Sequence, residues 1–218
     1  MRKLQESELR MTVENRIAER IVTVFGSSRP AQGDPDYQEA LELGKELGTR
    51  GFAVCTGGYG GVMEAVSRGA KEAGGKTYGV TAEFFGREAN KWIDVEVRMK
   101  TWEERLFELI RLGHGFVACK GGTGTLVELA VVWEMLNKSV LEERPFAVLG
   151  DFWKPILDRV REVEQGNVEQ GKVKQGPRPS TEIPRWAEAS GNLVQSFQSP
   201  QDVANYLAEK LFVKKGQK

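Results

Sequence analysis

Short runs of β-branched and aromatic residues alternate with stretches of helical periodicity along most of the chain, which leaves few ways to bury both. Ile21 to Phe25, Phe52 to Cys55, Thr77 to Val80, Phe116 to Cys119, Phe146 to Leu149 and Leu193 to Phe197 read as strands. Helical patterns fall between them at about Pro35–Arg50, Gly61–Glu72, Thr101–Leu112, Thr125–Lys138 and Phe152–Glu164, with a last one at about Pro200–Phe212. The strand runs are nearly continuous in apolar residues, the pattern of strands covered on both faces. The expected fold is α/β: a doubly wound, open, mostly parallel sheet, Rossmann-like and flanked by helices in a single domain at 20–212.

The 218 residues, 40% of them hydrophobic, suffice for one such core. Residues 1–19 read as a charged N-terminal segment, partly helical and frayed, and 213–218 as a solvated tail. Between 165 and 184 the chain has little apolar content and three prolines, so a loop excursion is expected.

Lys and Arg total 31 and balance 31 Asp and Glu, which argues against a chain-wide nucleic-acid or polybasic membrane surface. The first twenty residues lack an apolar signal core and no later run is long enough to span a bilayer, so no membrane partner is expected. Two cysteines, Cys55 and Cys119, make neither a disulfide framework nor a Cys-rich zinc site, and a cytoplasmic protein is expected. A Ser-His-Asp triad or a His-rich metal centre would have to converge on the single histidine, His114.

Ligands of open α/β sheets sit beyond the carboxyl ends of the strands. Three loops there are rich in glycine or serine: Gly26-Ser27-Ser28, Thr56-Gly57-Gly58-Tyr59-Gly60-Gly61 and Lys120-Gly121-Gly122-Thr123-Gly124-Thr125. A glycine loop leading into a helix lets backbone N–H groups approach an anion at the helix N-terminus. The 121–125 loop is neither a Walker loop, since Lys120 precedes the glycines, nor a dinucleotide fingerprint, since Val127 stands at the third glycine position. One such loop is readily a plain tight turn; three on one rim point to a small anionic ligand.

Glu128 is expected in the first turn of an almost wholly apolar helix, where a carboxylate beside an anion loop would sit at the mouth of a pocket. Thr101 and Glu104 have capping-box spacing, and Arg105 then falls on the apolar face of the helix they open, together with Trp102 and Leu109. Its head either snorkels to solvent or finds an acceptor. Arg98 and Arg111 read as solvated, Glu64 as a helix-start acid, both cysteines as small buried hydrophobes, and His114 as a capping residue.

These segments resemble the Lonely Guy family, the cytokinin-activating nucleoside 5′-monophosphate phosphoribohydrolases often labelled lysine decarboxylase-like. The family hallmark is P-G-G-x-G-T-x-x-E, and residues 120–128 match every fixed position except the proline, where Lys120 stands. Glu104-Arg105 is similar to the family's E-R-K segment, with Leu106 replacing the lysine. The likeness takes in residues 25–28 and 57–63 and runs from about residue 20 to 160. Glu64, where the family often has glycine, and Thr81-Ala82, where a proline is common, are further departures.

The resemblance implies cleavage of the N-glycosidic bond of AMP or an N6-modified AMP to free base and ribose 5-phosphate. It implies a homodimer or higher homo-oligomer, and neither a metal nor a required cofactor. It assigns Arg105 and Glu128 as the catalytic pair and Gly121, Gly122, Thr123, Gly124 and Thr125 as the phosphate cradle. Ser27, Gly57, Gly58, Gly60, Gly61 and Lys120 would line the pocket. Molybdenum-cofactor carrier proteins resemble the same fold and bind a phosphorylated pterin without cleaving it, so a carrier is the alternative; a nucleotide sensor is a third. No pyridoxal-lysine motif supports decarboxylation.

Overall fold

The computed structural model describes residues 19–169 and 193–212. Residues 1–18 of the charged N-terminal segment, residues 170–184 of the expected excursion and the tail at 213–218 lie outside the described residues. In chain order the elements are β1 (Ile21–Phe25), α1 (Pro35–Thr49), β2 (Ala53–Thr56), α2 (Val62–Glu72), β3 (Thr77–Ala82), a 3-10 turn (Glu83–Phe85), β4 (Val95–Met99) and α3 (Trp102–Leu112). They continue with β5 (Gly115–Ala118), α4 (Thr123–Asn137), β6 (Phe146–Leu149), α5 (Lys154–Glu169), β7 (Val194–Phe197) and α6 (Pro200–Phe212).

The strands form one sheet in the order β4-β3-β2-β1-β5-β6-β7, with every pairing parallel. Side chains alternate along each strand, so β1 sends Val22 and Val24 to the layer of α1, α2 and α6, and Ile21 and Phe25 to that of α3, α4 and α5. Both faces are covered, which is why β1, β2, β5 and β6 read as unbroken apolar runs. Thr23 is buried among them because its hydroxyl donates to the Leu109 carbonyl of α3 at 2.9 Å.

One strand and several element ends depart from the sequence reading. β4 goes unrecognised there because, as an edge strand, it alternates half-buried and exposed residues through Val95-Glu-Val-Arg-Met99. α4 starts at Thr123, not Thr125, and α5 runs through Glu169, five residues into the segment expected as a loop. Among the described residues no helix is long and apolar enough to cross a membrane.

α1 and α2 lie against each other through glycines: a methyl on Gly44 would overlap the Val66 carbonyl, and one on Gly69 would overlap that of Leu41. Helices this close place their N-termini side by side at the carboxyl end of the sheet. Gly69→Ala should force them apart, costing about 1–3 kcal/mol and lowering Tm by roughly 3–10 °C in a circular-dichroism melt.

Candidate active site

The sheet order turns at β1: the chain builds β2, β3 and β4 on one side and β5, β6 and β7 on the other. Loops leaving β1 and β5 therefore diverge, and a crevice opens at their carboxyl ends. Backbone hydrogen bonds join the three small-residue loops across it, Ser27 N–H to the Lys120 carbonyl at 3.2 Å and Val62 N–H to the Ser27 carbonyl at 2.8 Å. Gly61, at φ +69°, turns the chain so close to Ser27 and Ser28 that a side chain would not fit.

The resulting cleft measures about 840 Å³. Ser27, Arg105, Lys120, Gly121, Gly122, Thr123, Gly124, Thr125 and Glu128 all line it. Gly57, Gly58, Gly60 and Gly61 are not in its wall; their loop contributes the Tyr59 ring instead. Gly57 acts one step back, because a methyl there would overlap the Arg105 guanidinium.

Gly122 caps α4 with no side-chain hydrogen bond, and nothing lies within 4 Å of where a Cβ on Gly122 or Gly124 would stand. The first N–H groups of α4 thus open onto the cleft, as an anion site requires. Because the helix begins two residues early, Glu128 lies in its second turn, away from the end where the dipole would favour a carboxylate. α4 is also not buried all round: Leu129, Val132 and Trp133 face the core, whereas Ala130 is exposed and Val127 and Val131 are half-buried.

The capping box forms, with Glu104 N–H on Thr101 Oγ1 and Thr101 N–H on the Glu104 carboxylate, each at 3.2 Å. It sets the helix phase that points Arg105 inward. The guanidinium does not snorkel; the residue is 7% exposed, and Nε donates to the Val80 carbonyl at 2.8 Å. Nη1 lies 3.8 Å from Glu128 Oε1, and the cation rests over the Tyr59 and Phe85 rings at 5.6 and 5.7 Å. Tyr59 is fixed in turn, its hydroxyl accepting from Ala82 N–H at 3.0 Å.

The model of the SLOG cluster4 family matches residues 19–172. The chain belongs to that family. Cytokinin riboside 5′-monophosphate phosphoribohydrolase LOG of Oryza sativa subsp. japonica is 34% identical over 146 residues, 63% of this chain and 58% of that protein. Pyrimidine/purine nucleotide 5′-monophosphate nucleosidase of Escherichia coli strain K12 is 30% identical over 103 residues, 43% of this chain and 23% of that enzyme. The chain therefore spans less than two thirds of either relative. Among solved structures, the molybdenum cofactor binding protein of Rippkaea orientalis shares the fold with a TM-score of 0.61 at 24% identity, over 89% of this chain and 98% of that one.

In this SLOG cluster4 member the remaining titratable candidates take structural places. Glu64 accepts from the Tyr37 hydroxyl at 3.4 Å, and the His114 ring accepts from Ile21 N–H at 3.2 Å. Cys55 and Cys119 are buried free thiols whose pKa burial pushes up, away from nucleophilic use. Arg111 is an exposed partner of Glu108 at 2.6 Å. Phe85 and Asp36 also line the cleft, and no motif marks them; only the packing of the loops brings them there.

Burial pushes the Glu128 carboxyl up to about 7, with Arg105 pulling in the other direction. The folded state therefore holds a proton that the unfolded chain, at an ordinary 4.5, has released. This contribution to stability is full below about pH 4.5 and falls away as pH rises to about 7. Glu128→Gln lacks the effect, so the Tm of the variant relative to the parent should be higher at about pH 8 than at about pH 5 in calorimetric scans.

Proposed function

We propose that the chain is a phosphoribohydrolase that cleaves the N-glycosidic bond of a nucleoside 5′-monophosphate, AMP or an N6-modified AMP, releasing base and ribose 5-phosphate. The observation that carries this reading is the pair of buried Arg105 and half-buried Glu128, 3.8 Å apart, in the same cleft as the uncapped start of α4. The phosphate takes the N–H groups of residues 121–125, which turns the sugar toward Glu128. As the C1′–N bond breaks, its electron pair leaves on the base and positive charge develops on the sugar, which a carboxylate stabilises. Water adds to C1′ and passes its proton to Glu128, whose pKa near neutrality suits that exchange; the departing base nitrogen takes up a proton from solvent and Glu128 releases its own to solvent, which restores the carboxylate. Arg105, tied to Val80, holds the carboxylate in place and offers positive charge to the phosphate or the departing base. The reaction so written uses water and no cofactor.

A carrier reading is favoured by one observation: Arg105 and Glu128 already partner each other, as an ion pair that only supported the loops would. Incubation with a panel of nucleoside 5′-monophosphates, following free base by chromatography, separates the two. Turnover should fall at least ~100-fold in Glu128→Gln and in Arg105→Ala; stoichiometric retention of an intact phosphorylated ligand without base release would favour the carrier. Since the carboxylate is the active form, kcat/KM of the parent should rise with pH through about 7, and the residual rate of Glu128→Gln should not.

We also propose that the chain works as a homo-oligomer. The outer side of α4 keeps Val127, Ala130 and Val131 partly in solvent, and a second copy would cover them. Sedimentation velocity should return at least twice the chain mass of 24.3 kDa.

A further inference from the structure

Lys120 and Asp36 face each other across the cleft, and neither the catalytic pair nor the glycine cradle explains why. Lys120 Nζ lies 2.9 Å from Asp36 Oδ2 and 3.3 Å from Oδ1, although the residues are 84 positions apart. Both line the cleft. The backbone of Lys120 is pinned by Ser27 and leads directly into Gly121, Gly122 and the open start of α4. Its ammonium, on a four-carbon stem, is half in solvent and free to swing. Asp36 is less free: it sits in the first turn of α1, behind Pro35, where the helix N-terminus favours its negative charge. The Lys120 cation thus lies between the carboxylates of α1, Asp36 in contact and Glu39 nearby, and whatever anion occupies the start of α4.

We propose that Asp36 is an affinity-setting residue of the cleft, which competes with a ligand phosphomonoester for the Lys120 ammonium. An exposed ion pair of this kind is weak. A phosphate dianion that also receives backbone N–H bonds outbids the carboxylate for the ammonium. A nucleoside offers nothing at that position and leaves the pair closed. Asp36 therefore raises the threshold for every phosphorylated ligand and is silent toward unphosphorylated ones. This inference rests on the proposed phosphate cradle, but not on cleavage.

The test is a double-mutant cycle in binding, using the full chain, with Asp36→Asn, Lys120→Met and the double variant titrated calorimetrically with AMP, inorganic phosphate and adenosine. All three variants alter partly exposed side chains, and far-UV circular dichroism checks that they are folded. Asp36→Asn should tighten AMP about 3- to 5-fold, Lys120→Met should weaken it about 10-fold, and the double variant should match Lys120→Met. Inorganic phosphate should follow AMP, and adenosine affinity should be the same in all four proteins. Asp36→Asn that leaves AMP binding unchanged or weakens it, or that tightens it equally without Lys120, overturns the proposal, as does a parent chain that binds neither AMP nor phosphate. Absence of base release beside the expected binding pattern would remove the hydrolase reading alone.

Discussion

A guanidinium buried at the edge of a sheet is the interaction around which the cleft is organised. Taking a cation out of water costs several kcal/mol unless its donors and charge are answered. Arg105 is answered from four places: β3 through the Val80 carbonyl, α4 through Glu128, the β2–α2 loop through the Tyr59 ring, and the 3-10 turn through Phe85. Each of those groups is thereby held where the cleft needs it. Gly57 has no side chain because the guanidinium occupies the space one would fill.

The same economy governs the anion side. α1, α2 and α4 all begin at this end of the sheet, and none of the three has its first N–H groups satisfied by an N-cap side chain. α2 is partly closed by the Ser27 carbonyl, which accepts from Val62. α1 carries Asp36 in its first turn. Of the three, α4 offers open N–H groups beside the Lys120 ammonium. A carboxylate on the second turn of that helix gains little from its dipole and is surrounded by protein, so its pKa rises until only Arg105 keeps it ionisable near neutrality.

Motif residues were legible to the extent that local chemistry marks them. The Thr101–Glu104 box sets the phase of α3 and so the apolar face on which Arg105 lies, while packing decides between snorkelling and an acceptor. The strands buried on both faces showed as apolar runs; β4 did not, because an edge strand with one neighbour reads as ordinary alternation. The family resemblance implies that the 57–61 glycines line the pocket. In the structure Gly57 makes room for the Arg105 guanidinium, Gly58 lies close on Thr81 and Gly61 on Ser27 and Ser28, a role set by close approach to residues distant in the chain.

Periodicity and glycine placement by themselves determined a parallel α/β sheet, the rim on which its glycine loops open, and the positions of Arg105 on the apolar face of its helix and of Glu128 beyond the 121–125 loop. Those are consequences of local preference and of side-chain direction along helices and strands, which sequence spacing carries directly. Only the tertiary structure decided that Arg105 is sequestered, that Glu128 is pushed toward neutral pKa, and that Lys120 is held by Asp36. Desolvation and pairing depend on distances between segments as far as 84 residues apart, and the chain sets those distances only when the layers close.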